Sequence, residues 1–126
     1  MASKIVFITQ FPAAADSARQ LAPAGFDLVI TDAHSEEYGK ALNDAEYLVG
    51  FVDMLVDEEL YRTGPNLKLI QLLSAGYDRA NIKAARRAGV PIANNGGANA
   101  IAVSEHAILL MLAVSRKLAV QHANVA

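Results

Sequence analysis

Five short apolar runs, each separated from the next by a segment of helical character, constrain this chain more than any other feature. Lys4–Thr9 reads KIVFIT, Phe26–Thr31 FDLVIT, Ala45–Phe51 AEYLVGF, Leu67–Leu73 LKLIQLL and Val90–Ala93 VPIA. A strand with one wet face alternates polar and apolar residues. Runs that are apolar nearly throughout belong to strands covered on both faces, the situation of a parallel sheet. The intervening segments predict helices over Ala13–Ala22, Glu36–Leu42, Asp57–Tyr61 and Asn81–Ala88. Gly25 and Gly89 follow two of them as stop signals, and acids open the third, where a helix N-terminus favours negative charge. A last helix is predicted over Ala100–Leu118.

Five βα units of this size predict one α/β domain over residues 1–126. The expected architecture is a flavodoxin-like, doubly wound five-stranded parallel sheet of order 2-1-3-4-5, with helices on both faces. Ligands of such sheets bind beyond the carboxyl ends of the strands. Function is therefore expected in the loops Gln10–Ala14, Asp32–Ser35, Val52–Leu55, Ser74–Asp78 and Asn94–Asn99.

Composition narrows the partners. Hydrophobic residues make up 53% and charged residues 19%, a globular balance. A net charge of −2 gives no electrostatic footprint for nucleic acid or an anionic membrane. The chain has no cysteine, which removes disulfides and thiolate chemistry. The longest apolar run, Ala107–Val114, is far below the roughly 20 residues that span a bilayer. The N-terminus MASKIVFITQ lacks the features of a secretory signal, so the expected location is cytoplasmic.

Several chemistries lack their residues. Thr9-Gln10-Phe11-Pro12-Ala13 after the first strand has no glycine, and proline removes an N–H, so a flavin phosphate loop is not expected. Asp53 follows the third strand as a phospho-acceptor would. With no acid after strand 1 and no lysine after strand 5, the Mg²⁺ cluster of a receiver domain is not expected, and Asp53 reads as a solvated loop or cap residue. Gly96-Gly97 does not make a G-x-G-x-x-G loop. His34, His106 and His122 lack metal-ligand spacing, so no metal site is expected.

Two loops remain. The small residues of Ser74-Ala75-Gly76-Tyr77-Asp78 would let a carboxylate approach backbone N–H groups, or they form a plain turn with Asp78 near a helix N-cap. Asn99 either caps the last helix or offers its amide to a substrate.

Taken together, three ordered motifs resemble the D-2-hydroxyacid dehydrogenase family, which includes formate and phosphoglycerate dehydrogenases. They are S-A-G-Y-D, then A-x-x-x-G-V-x-I-x-N, then N-A-I-A-V-S-E-H leading into an apolar helix. Ser104 departs from the usual V-A-E-H. The resemblance is strongest over Leu67–Leu118 and implies the N-terminal part of a substrate-binding domain. The family's nucleotide-binding domain, catalytic arginine, acid and histidine have no counterpart here, so no catalytic and no cofactor-binding residue is assigned. The family uses NAD or NADP; none is expected to bind this chain. By resemblance, Ala75 and Gly76 with Tyr77 would meet the carboxylate of a 2-oxo or 2-hydroxy acid, and Asn99 would steady it.

The expectation is thus a truncated substrate-binding domain, inactive by itself, holding a small carboxylate weakly. The alternative is a stand-alone flavodoxin-like structural domain. The segment Ala100–Leu118 is apolar all round and needs a partner. It is expected to fold back on its own sheet or to form a homodimer, by packing or by exchange.

Overall fold

The computed structural model describes residues 2–125. The chain divides into two compact units, Met1–Asn95 and Gly96–Ala126.

The first unit is an α/β sheet. Its strands are β1 (Ser3–Ile8), β2 (Phe26–Thr31), β3 (Tyr47–Gly50), β4 (Leu69–Leu72) and β5 (Ile92–Ala93). The helices between them are α1 (Pro12–Leu21), α2 (Glu36–Leu42), α3 (Glu58–Thr63) and α4 (Ile82–Ala88). Every strand pair is parallel and the order is 2-1-3-4-5, as the βα alternation predicted. Because side chains alternate across a strand, Val6, Ile8, Leu48, Ile70 and Leu72 share one face. All five are buried, in one cluster with Ala41 and Leu42 of α2 and Leu60 of α3. On the opposite face Ile5, Phe7, Leu28 and Val49 are half-buried beside Ala14 and Ala18 of α1.

Local chemistry places the helix starts. Asp57 caps α3 by accepting from the Leu60 N–H at 2.9 Å, and Asn81 caps α4 by accepting from the Ala84 N–H at 3.0 Å. Asn81, and not Asp78, therefore ends the loop after β4. Gly89 takes φ +71° past α4, a left-handed stop that suits glycine. Gly50 closes β3 against β1. A Cβ there would lie 2.7 Å from the Ile8 carbonyl oxygen, so only glycine fits.

The second unit contains α5 (Ala100–Ser115) and α6 (Leu118–Val125). One continuous helix over Ala100–Leu118 was expected. Instead α5 ends at Ser115, and Lys117 takes φ 51° before α6 begins. The Arg116 and Lys117 N–H groups bond back to the carbonyls of Leu112 and Val114, which closes the helix end. No residue of α5 is buried. Ile108, Leu109, Leu110, Met111 and Leu112 are all more than half exposed.

Candidate anion-binding loop at the carboxyl edge of the sheet

The loop after β4 is held from several sides. The Leu73 N–H donates to the Gly50 carbonyl at 2.9 Å, and the Asn81 N–H to the Val56 carbonyl at 2.9 Å. The Ser74 hydroxyl donates to the Gly76 carbonyl at 2.8 Å. The Asn94 side-chain amide donates to the Ala75 carbonyl at 2.7 Å, and the Asn95 N–H to the Ser74 carbonyl at 2.9 Å. The carbonyls of Ser74, Ala75 and Gly76 are thus engaged. The N–H groups of Ala75, Gly76 and Tyr77 have no acceptor among the described residues. Carbonyls tied back and amides left free are what a backbone anion cradle needs.

Sequence reasoning named Ala75, Gly76 and Tyr77, and the structure sets them in this one loop. Ala75 is half-buried, while Gly76 and Tyr77 are exposed. Asn99 lies in the second unit, immediately before α5. Its side chain makes no capping bond, in contrast to the cap reading. Its carbonyl accepts from the Val103 N–H at 2.9 Å.

Two residues that reasoning from the sequence did not place here prove central. Asn94 is the strap on the Ala75 carbonyl. Asp53 is buried rather than solvated, which corrects the sequence expectation. Its carboxylate takes two bonds from Arg79, from Nε at 2.8 Å and Nη2 at 3.2 Å. The pair ties the loop after β3 to the end of the loop after β4, and the Arg79 charge compensates a carboxylate that burial alone would disfavour. The Asp78 carboxylate lies close to Gly76, with Oδ2 3.5 Å from where a Cβ would stand. That negative charge opposes a bound anion.

The loops after β1, β2 and β3 enclose a separate concavity of about 290 Å³. Phe11, Phe51 and Met54 stand exposed around it, with Asp32 and His34 at its rim. Asp32 accepts from the His34 N–H at 2.7 Å, which fixes the turn.

The first βα turn carries no glycine-rich phosphate loop. β1 runs into α1 through Thr9, Gln10 and Phe11, and Pro12 occupies the first helical position without an N–H. No glycine brings a backbone close enough for a pyrophosphate. Among the described residues there is no group of three or more His, Asp or Glu side chains that could hold a metal. No helix among them is long and apolar enough to cross a membrane.

The comparisons with known proteins agree with this arrangement. Residues 5–124 match the family profile described as D-isomer specific 2-hydroxyacid dehydrogenase, catalytic domain. The chain is 37% identical over 90 residues to D-3-phosphoglycerate dehydrogenase of Archaeoglobus fulgidus, covering 71% of this chain and 17% of that protein. It is 34% identical over 77 residues to glyoxylate reductase of Thermococcus litoralis, covering 61% of this chain and 23% of that protein. The chain therefore spans about a fifth of the length of these relatives. In fold it superposes on D-lactate dehydrogenase of Aquifex aeolicus, solved with NAD and lactic acid. The TM-score is 0.80 at 24% identity, over 96% of this chain and 36% of that one. With its parallel sheet in the order 2-1-3-4-5 and a family match over nearly its whole length, the chain belongs to the D-isomer specific 2-hydroxyacid dehydrogenase family.

Proposed function

We propose that this chain is the substrate-holding part of a dehydrogenase acting on a 2-oxo or 2-hydroxy acid, and that the loop Ser74–Asp78 receives the acid's carboxylate. The observation that carries this reading is the free set of N–H groups at Ala75, Gly76 and Tyr77, with the neighbouring carbonyls tied back by Ser74, Asn94 and Asn95. Asn99, in the second unit, has its side-chain amide uncommitted to a cap, and its motif makes it a further candidate for substrate contact.

In this family NAD(P) supplies or accepts the hydride. The role proposed for this chain is binding and orientation of the acid. Backbone amides fix the carboxylate end of the acid, which orients its carbon skeleton. Asp78 keeps the affinity for a lone carboxylate low. The isolated chain is therefore expected to bind weakly and to turn over nothing.

Titration with oxalate or glyoxylate, followed by amide resonances, tests the reading. Shifts should concentrate at Ala75, Gly76, Tyr77 and Asn99. Shifts scattered over the surface, or none at millimolar ligand, would refute the binding role. Oxidation of NADH with glyoxylate above a heat-killed control would refute the expected inactivity.

Self-association through residues 100–118 belongs to the same proposal. It is supported by the exposure of Ile108, Leu109, Leu110, Met111 and Leu112 on α5, since soluble chains rarely leave so large an apolar surface to water.

A further inference from the structure

We propose that Asn95 is a site of spontaneous, structure-directed deamidation, the residue at which this protein ages chemically. The Asn95–Gly96 peptide bond is the only Asn-Gly step among seven asparagines, and the chain has no Asp-Gly step. It is also the bond at which the two compact units meet in the chain.

The reaction needs a free nucleophile and a free electrophile at the same step. The backbone nitrogen of residue i+1, after losing its proton, attacks the side-chain carbonyl carbon of Asn i. A C–N bond forms, the C–NH2 bond breaks, and ammonia leaves with the proton balance closed by solvent. The product is a five-membered succinimide. Water then opens either carbonyl, giving aspartate or isoaspartate, the latter with one extra methylene in the main chain. Water is the sole co-reactant, and nothing is oxidised or reduced.

Asn95 meets these conditions. Asn95 and Gly96 are both exposed. The Gly96 N–H donates to no acceptor among the described residues, and the Asn95 side chain makes no hydrogen bond among them. Glycine at 96 puts no Cβ in the path of the attack and leaves the backbone free to turn into the cyclic geometry.

The other asparagines lack one requirement or another. The Asn94 amide is held on the Ala75 carbonyl, and it is followed by a bulkier residue. The Asn66 amide is held on the Asn43 carbonyl. Asn81 has its side-chain oxygen on the Ala84 N–H and precedes β-branched Ile82. After Asn99, the Ala100 N–H is already committed to the Gly97 carbonyl at 3.1 Å. Asn43 precedes Asp44, and Asn124 precedes β-branched Val125.

The Asn95 N–H holds the Ser74 carbonyl, so the new carboxylate arises beside the loop proposed to take an anion. Loss of anion affinity on ageing rests on that functional reading; the deamidation does not.

Peptide mapping by mass spectrometry tests the site. The intact chain is incubated in mildly alkaline buffer and in mildly acidic buffer. The mass gain of an NH2-to-OH exchange should appear at Asn95 well before any other asparagine, as two separable isobaric peptides, and faster in alkali. Gly96→Ala should slow it and Asn95→Gln should remove it. Conversion that is no faster at Asn95 than at Asn94 or Asn99 would overturn the proposal. So would an unchanged Asn95 over a period in which the urea-unfolded chain converts. Oxalate titration of fresh and aged protein then separates the two ideas. If the fresh protein binds no oxalate the carboxylate reading fails, while the mass data still decide the deamidation.

Discussion

The Arg79 guanidinium spans both oxygens of Asp53 through Nε and Nη2, joining loops that are 26 residues apart in the chain. Asp53 is 6% exposed, while the Arg79 side chain is mostly in solvent. Removing the cation strands a buried carboxylate, which costs more than losing the pair symmetrically. Because one partner is wet, Arg79→Ala is expected to lower stability by about 1–3 kcal/mol in urea unfolding. Asp53→Asn should cost less, since it removes the charge that needs compensation. Arg79→Lys should recover only part, because an ammonium cannot make the two-pronged contact. Equal midpoints for wild type and Arg79→Ala would show that the pair holds nothing.

Gly50 pairs with Ile8 across the β1–β3 ladder, and its missing side chain lets the two strands close. Gly50→Ala would bring a methyl 2.7 Å from a backbone oxygen and 3.1 Å from the Ile8 Cβ. Backbone cannot yield as a flexible side chain can. The expected loss is about 1–3 kcal/mol, the cost of overpacking. Gly39→Ala is the control, since the nearest atom there is the Thr63 methyl at 4.0 Å. A Gly50→Ala protein as stable as the Gly39→Ala protein would contradict the packing.

Much of this sheet was legible because period and composition act locally. β2 and α2 have the expected bounds, Phe26–Thr31 and Glu36–Leu42. β1 keeps its expected length but starts one residue earlier, at Ser3, while β3, β4 and β5 are shorter than their apolar runs. β5 begins at Ile92 because Pro91 has no N–H for the ladder, although its carbonyl still accepts from Ile70. What was not legible depends on distant partners. Asp53 looks like any loop acid until Arg79 is beside it, and Asn94 looks like any turn residue until Ala75 lies under its amide. The break at Lys117 carries no glycine or proline signal at all. Among the loop residues, Ala75, Gly76 and Tyr77 could be named from their motif, whereas the hydrogen bonds that free their amides could not.

Burial pushes the Tyr38 phenol up to about 12, helped by the neighbouring negative charge of Asp57. The Tyr61 phenol moves in the same direction, by burial first and then by Asp57 and Glu58. A phenol whose pKa is higher in the folded state keeps its proton better when folded. Its contribution to stability is complete below the ordinary tyrosine value near 10 and is lost as pH rises from there through about 12. Ultraviolet titration should therefore show part of the tyrosinate signal appearing late, with a parallel fall in stability. Tyr38→Phe should remove the Tyr38 share of the late component and leave that of Tyr61. A single titration at the free tyrosine value would mean that Tyr38 is not shielded.

Leu110 lies on the exposed apolar surface of α5. If residues 100–118 associate with a second copy, Leu110→Glu places a charge where water is excluded, and the protein should run as a monomer or become insoluble. Light scattering after size exclusion decides between the alternatives. Wild type is expected at twice the 13.4 kDa of one chain. A wild-type monomer, or a dimer indifferent to Leu110→Glu, would remove α5 from the interface.

Asn94 allows the carboxylate reading to be tested without touching a ligand contact. Its amide holds the Ala75 carbonyl at 2.7 Å from the far end of the loop. Asn94 is exposed, so Asn94→Ala leaves no buried polar group without a partner except that carbonyl, which solvent can reach. The stability change should be at most about 1 kcal/mol, the worth of one ordinary hydrogen bond. The loop, however, loses the bond that keeps the Ala75 carbonyl turned away from the free amides. Oxalate affinity should fall several-fold, with the Gly76 amide shift reduced at a given concentration. Asp78→Asn should move affinity the other way by removing the opposing charge. Opposite shifts in affinity at nearly constant stability are what a backbone anion site requires. If both variants bound oxalate as the wild type does, the acid would be held elsewhere, and the loop after β4 would be only a turn.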